Sequence, residues 1–552
     1  MIVRIGGLRL PLDYGEEDLR QAAASRIKIE PRAILDYQLV RQAVDARRNK
    51  VYFTLAVDIK LPDKLLKEEQ LPSTPEVKVI KPRPLKPIQP GDQPLPFSPL
   101  IVGAGPAGLF CALYLARHGY QPLILEQGQN LERRIKAVEK FWQGGELNPY
   151  SNTQFGEGGA GTFSDGKLTT RISDERISYV LDILVQHGAP QEIKYLKKPH
   201  VGTDQIRRVV KNIREEILDL GGEIYFDSRL TDINVNQRWI KSIIINRGSK
   251  LLCSVLVLAV GNSAREVYRL LALRGIEMQP KAFALGVRVE HPQALIDRIQ
   301  YGDYAGHPRL GPADYHITYQ DQSSGRSLYS FCMCPGGQVI AASSEKGGVL
   351  TNGMSYLARD SGIANSALVV TVKPVDWKGQ LLGGIILQEA LEKKAFQMGG
   401  QDYRAPAQLM SDYRLRRKSL KLNPDLTTYQ PGVKAANLWE LLPPEIASVL
   451  GRGLDYWEKK IPAFTEGQPV LTGVETRSSA PVRILRNENG TSTTLDNLYP
   501  CGEGSGYAGG IMSSAVDGLK IAEKIIARYR LPDEKAELYD KESFNIRRIV
   551  DD

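Results

Sequence analysis

Between residues 100 and 126 the chain is apolar, then glycine-rich, then apolar at helical spacing, then apolar again: Leu100-Ile-Val-Gly-Ala-Gly-Pro-Ala-Gly108, Leu109–Leu115, Leu123-Ile-Leu-Glu126. That pattern predicts a buried strand, a tight turn, an amphipathic helix and a second strand ending in a carboxylate. Further on, a helix is expected at Asp204–Leu220 and strands at Glu223–Phe226, Ile240–Asn246 and Leu251–Val260, the last read as one buried strand of a parallel sheet. Period-two runs at Ala282–Glu290, Ser327–Cys334 and Gln338–Ser343 predict a second sheet. Ile511, Ala515, Leu519, Ala522 and Ile526 form the apolar face of a late helix. Near the N-terminus, Ile2–Ile5 and Val51–Ile59 read as strands and Glu16–Ala24 as a helix.

The fold class is therefore α/β: a Rossmann-like dinucleotide-binding domain interrupted by a sheet-containing substrate domain and preceded by a small α/β module. Boundaries are expected at 1–60 for the module, 99–279 and 471–530 for the two parts of the dinucleotide domain, and 280–470 for the insertion. Residues 61–99 carry ten prolines, a density that denies regular ladders, so 61–98 is read as a linker. Residues 531–552 are read as a C-terminal tail. A length of 552 residues agrees with two or three domains.

No run of about eighteen apolar residues is present, so no membrane span is expected. The N-terminus lacks a signal-peptide core, which points to the cytoplasm. The net charge of +9 is modest for the length. The basic clusters Lys194–Arg214 and Arg414–Lys421 have helical spacing and read as solvated helix faces. Five cysteines do not make a disulfide framework. With no CxxC or CxxxxC pair near the glycine loops, a dithiol relay of the disulfide-reductase kind is not expected.

Three separated glycine-rich segments carry the chemistry. In the first, Gly103 permits the turn, Gly105 admits a pyrophosphate and Gly108 lets helix pack on strand. Glu126 can accept from both hydroxyls of an adenosine ribose. The second, within Phe155–Lys167, has little side-chain bulk and can pass close to a large flat ring. The third places Glu503 after a short strand and Gly509-Gly510 at a helix start, whose positive end suits an anionic reduced flavin. In this order the three favour FAD over NAD. The candidate cofactor-binding residues are Gly103, Gly105, Pro106, Ala107 and Gly108 with Glu126 and Arg134; Gly158, Gly159, Ala160, Gly161 and Thr162; Gly261; and Gly502, Glu503, Gly509, Gly510 and Ile511.

With Pro199–Asp204, Phe331–Gly337 and Thr351–Met354 added to these segments, residues 98–530 resemble the FAD-dependent oxidoreductases of glutathione-reductase fold. Within that fold they are most similar to a group of bacterial and plastid proteins called NAD(FAD)-utilizing dehydrogenases. The chain departs from related flavoproteins at Ala259-Val260-Gly261, where they have Ala-Thr-Gly, and at Gly502-Glu503, where they often have Gly-Asp. The resemblance implies an FAD enzyme acting on a small molecule by hydride or electron transfer, and supplies no substrate. No second GxGxxG domain is evident, so NAD(P)H, if it is the electron donor, binds transiently.

Asp165 and Lys167 are candidates for proton transfer or for tying down the second loop. Cys332 and Cys334 alternate on a strand and so point to one side; redox chemistry, substrate contact and packing all stay open. Two thiolates are too few for zinc, and no metal site is expected. His200 falls in the turn before a helix capped by Thr203. Two alternatives remain: a flavoprotein recognising RNA or another macromolecule through Arg41, Arg47, Arg48 and Lys50, and a non-catalytic FAD-binding protein. Nucleic acid is disfavoured because those cations sit among acids, without an aromatic stacking motif. The oligomeric state is open.

Overall fold

A computed structural model describes residues 1–532 other than 48–49, 64, 66 and 82–86. Arg48, most of the proline run after Lys81 and the tail beyond 532 thus lie outside the described residues.

The dinucleotide domain is built on a five-stranded parallel sheet in the order Leu498–Pro500, Leu256–Leu258, Leu100–Val102, Leu123–Leu125, Glu223–Tyr225. All but one of these residues, Glu223, are buried, so each strand needs cover on both faces. Helices Pro106–Arg117, Thr203–Asp219 and Ile511–Arg528 cover one face. The antiparallel meander Leu230–Asn236, Trp239–Ile245, Ser249–Leu252 and the helix Arg265–Leu273 cover the other. The run expected as one strand at Leu251–Val260 is thus divided: Ser249–Leu252 closes the meander and Leu256–Leu258 enters the parallel sheet.

From Leu100–Val102 the chain winds outward to one side and later returns to fill the other. The strand order therefore reverses between Leu100–Val102 and Leu256–Leu258, where the loops after the two strands diverge and leave a crevice.

The second sheet has seven strands, in the order Thr318–Asp321, Arg326–Cys334, Ile363–Val372, Phe283–Pro292, Val470–Glu475, Ala405–Leu409, Val433–Ala435. Val470–Glu475 pairs with Phe283–Pro292, so the inserted sheet runs past residue 470. The predicted second part of the dinucleotide domain begins too early by that strand. Residues 415–421 are a loop, exposed apart from the buried Ser419, after the short helix Met410–Arg414, not a helix face.

At the N-terminus, Asp36–Asp45, Tyr52–Lys60, Ile2–Leu10 and Val77–Val79 form an antiparallel sheet backed by the helix Glu16–Ile27. Sequence reading missed Asp36–Asp45, where apolar and polar residues do not alternate cleanly, and placed Val77–Val79 in the linker. The module is not tethered loosely. Gln42 N donates to Tyr195 O at 2.7 Å, and Lys197 N donates to Gln42 O at 2.8 Å. The Arg309 guanidinium lies over Tyr14 and Phe53, and Tyr301 and Leu310 pack on the module core. The end of the expected linker is also docked. Leu95 is buried in the dinucleotide-domain core, and Gly91 N donates to Ile526 O at 2.8 Å.

Candidate functional site

A cavity of about 430 Å³ occupies the crevice and extends to the inserted sheet. Its floor is the turn Gly103–Ala107. Gly103 has φ +107°, and a Cβ there would lie 2.3 Å from Ala259 O, on the facing loop. A Cβ on Gly108 would lie 1.9 Å from Gly103 O, so this glycine serves helix packing and does not line the cavity.

Of the other candidates, Gly105, Pro106, Ala107, Glu126, Gly159, Ala160, Gly161 and Gly261 line the cavity. So do Glu503, Gly509, Gly510 and Ile511, from the far end of the chain, and Asp165, Lys167 and Cys332, towards the inserted sheet. Arg134, Gly158, Thr162, Gly502 and Cys334 do not.

Arg134 is wholly buried beneath the second loop, donating to Asn152 O, Glu157 O, Gly159 O and Thr162 Oγ1 at 2.6–2.9 Å. It shapes the loop from behind and does not face the cavity as expected, nor does its partner Thr162. Gly502 N donates to Asp517 Oδ2 at 2.7 Å, and a Cβ there would meet that of Ala107 at 2.6 Å; its place is in packing.

Glu126, at the end of the second strand, ties three loops together. Its oxygens accept from Ala104 N at 2.8 Å and from Gly128 N and Gly156 N at 2.9 Å each. A carboxylate offers about four acceptor positions, so roughly one remains for a ribose, not the two that the sequence reading allotted. At the other end, Glu503 accepts from Asn262 Nδ2 at 2.8 Å and Gly510 N at 3.2 Å. Burial pushes its carboxyl above the usual range, against the Gly510 amide, Lys281 and Asn262.

Asp165 accepts from Ser355 Oγ and from Arg359 Nε and Nη2 at 3.1 and 2.6 Å, and lies 3.5 Å from Lys167 Nζ. Burial works to raise its carboxyl, but Lys167, Arg359 and Ser355 outweigh it and hold it at about 2. A group so acidic and so fully bonded is a poor proton donor, so its place is as an anchor for the loop. Lys167 is kept charged: burial opposes this, and Cys334, Asp165 and Cys332 overcome it. Its ammonium donates to Met333 O.

Cys332 and Cys334 do not simply alternate. The strand bulges between Phe331 and Cys334, so Cys332 reaches the cavity wall while Cys334 is buried behind it. Thr203 Oγ1 donates to Ser164 O at 2.7 Å instead of capping its helix, so it too secures the second loop.

Sequence reading missed much of the wall facing the glycines: Thr351, Asn352, Glu475 and Arg477. Glu475 is held in a buried bidentate pair with Arg288 at 2.7 and 3.0 Å. Arg477 is paired with Glu392, which also binds Arg265. Thr351-Asn-Gly-Met354 was visible as a motif, but nothing in it names a chemistry. Arg477 stands in no glycine run and had no signal.

The residues fit a dinucleotide flavin. A Cβ on Gly159 would lie 3.1 Å from Gly105 Cα, so two bare backbones form a cradle that side chains would fill. Glu126 closes the cavity at one end, and the helix start Gly510-Ile511 presents its positive end at the other. A parallel-sheet crevice with this floor, roofed by a second sheet, defines a dinucleotide-binding protein of Rossmann type.

Residues 282–478 match the family described as FAD-dependent protein, C-terminal domain-like. Residues 101–137 match an NAD(P)-binding Rossmann-like domain, and 1–60 match a domain of unknown function, DUF8436. An uncharacterized protein of Clostridium beijerinckii (strain ATCC 51743 / NCIMB 8052) is 47% identical over 539 residues, covering 96% of this chain and 100% of its own. The chain belongs to one family with that protein, and its residues 282–478 carry the match to FAD-dependent proteins.

Among solved structures, L-proline dehydrogenase from P. horikoshii is 14% identical, with 80% of this chain and 96% of that chain covered and a TM-score of 0.33. Glycine oxidase from Bacillus cereus ATCC 14579 is 13% identical, with 79% and 98% covered and a TM-score of 0.31. At that level of similarity, substrate and reaction are left to this chain's own residues. No helix among the described residues is long and apolar enough to cross a membrane.

Proposed function

We propose that the protein holds FAD along the cavity from Glu126 to Glu503, with the ring end at the inserted sheet, and oxidises or reduces a small molecule there. The observation that carries this is the continuity of one cavity. It runs from the glycine cradle and Glu126 to Lys167, Cys332 and Asn352, so a dinucleotide seated on the cradle has its reactive end between the two domains. Flavin supplies the hydride or electron transfer. The chain's own residues bind, orient and exclude water. Glu126 meets the adenosine ribose, the Gly103–Ala107 turn and Gly159–Gly161 admit the pyrophosphate, and Glu503 with Gly509, Gly510 and Ile511 borders the flavin end. Lys167, kept charged at the ring end, is the anion contact for substrate.

The reading as an NAD(FAD)-utilizing dehydrogenase of glutathione-reductase fold rests on the motifs Phe155–Lys167 and Phe331–Gly337. NAD(P)H enters it as a transient donor, and the setting as cytoplasmic. The test is the purified full-length protein: it is expected to be yellow and to release FAD, not FMN, on denaturation. A colourless protein unable to take up FAD overturns the proposal. Anaerobic mixing with NADH and NADPH then tests the donor: bleaching of the bound flavin within seconds supports it, and no bleaching by either removes it.

A further inference from the structure

The strand Arg326–Cys334 leaves its neighbour's register where it reaches the cavity. Phe331 pairs with Ala367 and Cys334 with Asn365, so one extra residue is fitted between them. Cys332 takes a left-handed φ of +46°, an uncommon and strained conformation for a residue with a side chain. Three contacts hold it there. Arg288 Nη1 donates to Cys332 O at 3.2 Å, Lys167 Nζ donates to Met333 O, and the Cys334 thiol donates to Cys332 O at 3.3 Å.

Both thiols are free, and the two differ. Cys332 is on the cavity wall, and Cys334 is buried behind it. Their side chains interact directly. That contact, acting against burial and aided by the Lys167 and Arg288 cations, draws Cys332 well below the usual thiol range. The same contact and burial push Cys334 well above it. Two cysteines that merely filled space would need neither the left-handed turn nor two cations beside them. Neighbouring same-side cysteines on a regular strand make poor disulfide geometry, and the bulge takes these two out of that arrangement.

We infer that Cys332 and Cys334 form a dithiol–disulfide couple in two-electron exchange with the bound flavin, Cys332 being the cavity-facing nucleophile and Cys334 the resolving thiol. The inference rests on FAD lying in the cavity as set out under Proposed function. In the oxidising direction the Cys334 S–H bond breaks, the Cys332 thiolate and the Cys334 sulfur join in one S–S bond, and the two electrons and one proton released pass to oxidised flavin, which becomes the anionic reduced form. In the reducing direction the same two electrons and one proton return, and the S–S bond opens to the Cys332 thiolate and the Cys334 thiol. Lys167 stabilises the Cys332 thiolate, and Asp165 holds Lys167 in place.

The test uses full-length protein whose FAD content has been measured first. After treatment with diamide, denaturing alkylation and mass spectrometry are expected to find the peptide holding Cys332 and Cys334 unalkylated and lighter by two hydrogens. After dithiothreitol, both are expected to be alkylated. Anaerobic dithionite titration of the oxidised protein is expected to consume two electrons per chain beyond those its FAD takes, and Cys334→Ser is expected to lose that excess while keeping its FAD. Full FAD content with both thiols alkylated after diamide, and with no excess uptake, overturns this inference alone. Absence of FAD overturns the proposed function instead. The alkylation result is read on the unsubstituted protein, so a variant that folds poorly does not shelter the inference.

Discussion

Replacing the Glu126 carboxylate by an amide turns one of its two oxygens into a donor, facing backbone N–H groups that now find an acceptor. Each N–H left unsatisfied costs about 1–3 kcal/mol. Glu126→Gln is therefore expected to bind FAD at least tenfold more weakly and to melt lower even without cofactor, as flavin fluorescence and a thermal scan would record. An unchanged apo melting temperature would mean that the carboxylate does not tie the loops. Asp165 gives a prediction in pH. Its carboxyl is held at about 2 when folded, against about 3.9 unfolded, and it is almost fully buried. The stability it contributes, on the order of 2 kcal/mol, is present above pH ~4 and is lost as pH falls through 2. Asp165→Asn leaves Arg359 and Lys167 unpaired, so at pH 7 it is expected to cost about 3 kcal/mol. The difference between the two proteins in chemical denaturation should narrow steadily from pH 5 to pH 2; a constant difference contradicts the assignment.

Two glycines of one turn separate folding from cofactor binding at the scale of the element. Gly105 has φ −79°, and a Cβ there meets only Gly159 Cα, at an ordinary 3.8 Å. Gly105→Val is thus expected to fold with near-normal circular dichroism yet hold no FAD, because its bulk projects where the pyrophosphate passes. Gly103→Ala combines a left-handed φ with a 2.3 Å clash against Ala259 O, and is expected to yield little folded protein at all. Equal FAD content in Gly105→Val and the parent would place the phosphate elsewhere. This turn was legible in the sequence because all its constraints are local: strand, glycine spacing, helix and acid lie within 27 residues of one another, from Leu100 to Glu126. The Cys332 bulge was not, because nothing in Phe331–Gly337 itself demands an extra residue. Its supports come from Arg288 and Lys167, 44 and 165 residues away from Cys332. Arg134 misled for a related reason. An arginine soon after the ribose acid suits either a ligand or the back of a loop, and only the fold of residues 152–162 decides between them.

For the whole molecule, the N-terminal module and the end of the linker are parts of the packed body. A chain beginning near Pro96 loses Leu95 from the dinucleotide-domain core, the Gly91–Ile526 hydrogen bond, and the cover over Tyr301 and Leu310. Although all three glycine segments survive, that chain is expected to melt at least about 5 °C lower and to aggregate on warming, with FAD slowing the loss. Melting within a degree of the full chain would show that the docking contributes little. Proline density had suggested a linker, and composition could say only that the segment forms no long ladder. Where it lies depends on partners more than 400 residues away, which periodicity does not report. The five-stranded sheet has a related consequence, in time. Its edge strand Leu498–Pro500, together with Glu503 and the Gly509-Gly510 helix start, is synthesised about 400 residues after the cradle at Gly103. If flavin is held by both segments as proposed, a chain truncated between them is expected to stay colourless even though it contains the cradle.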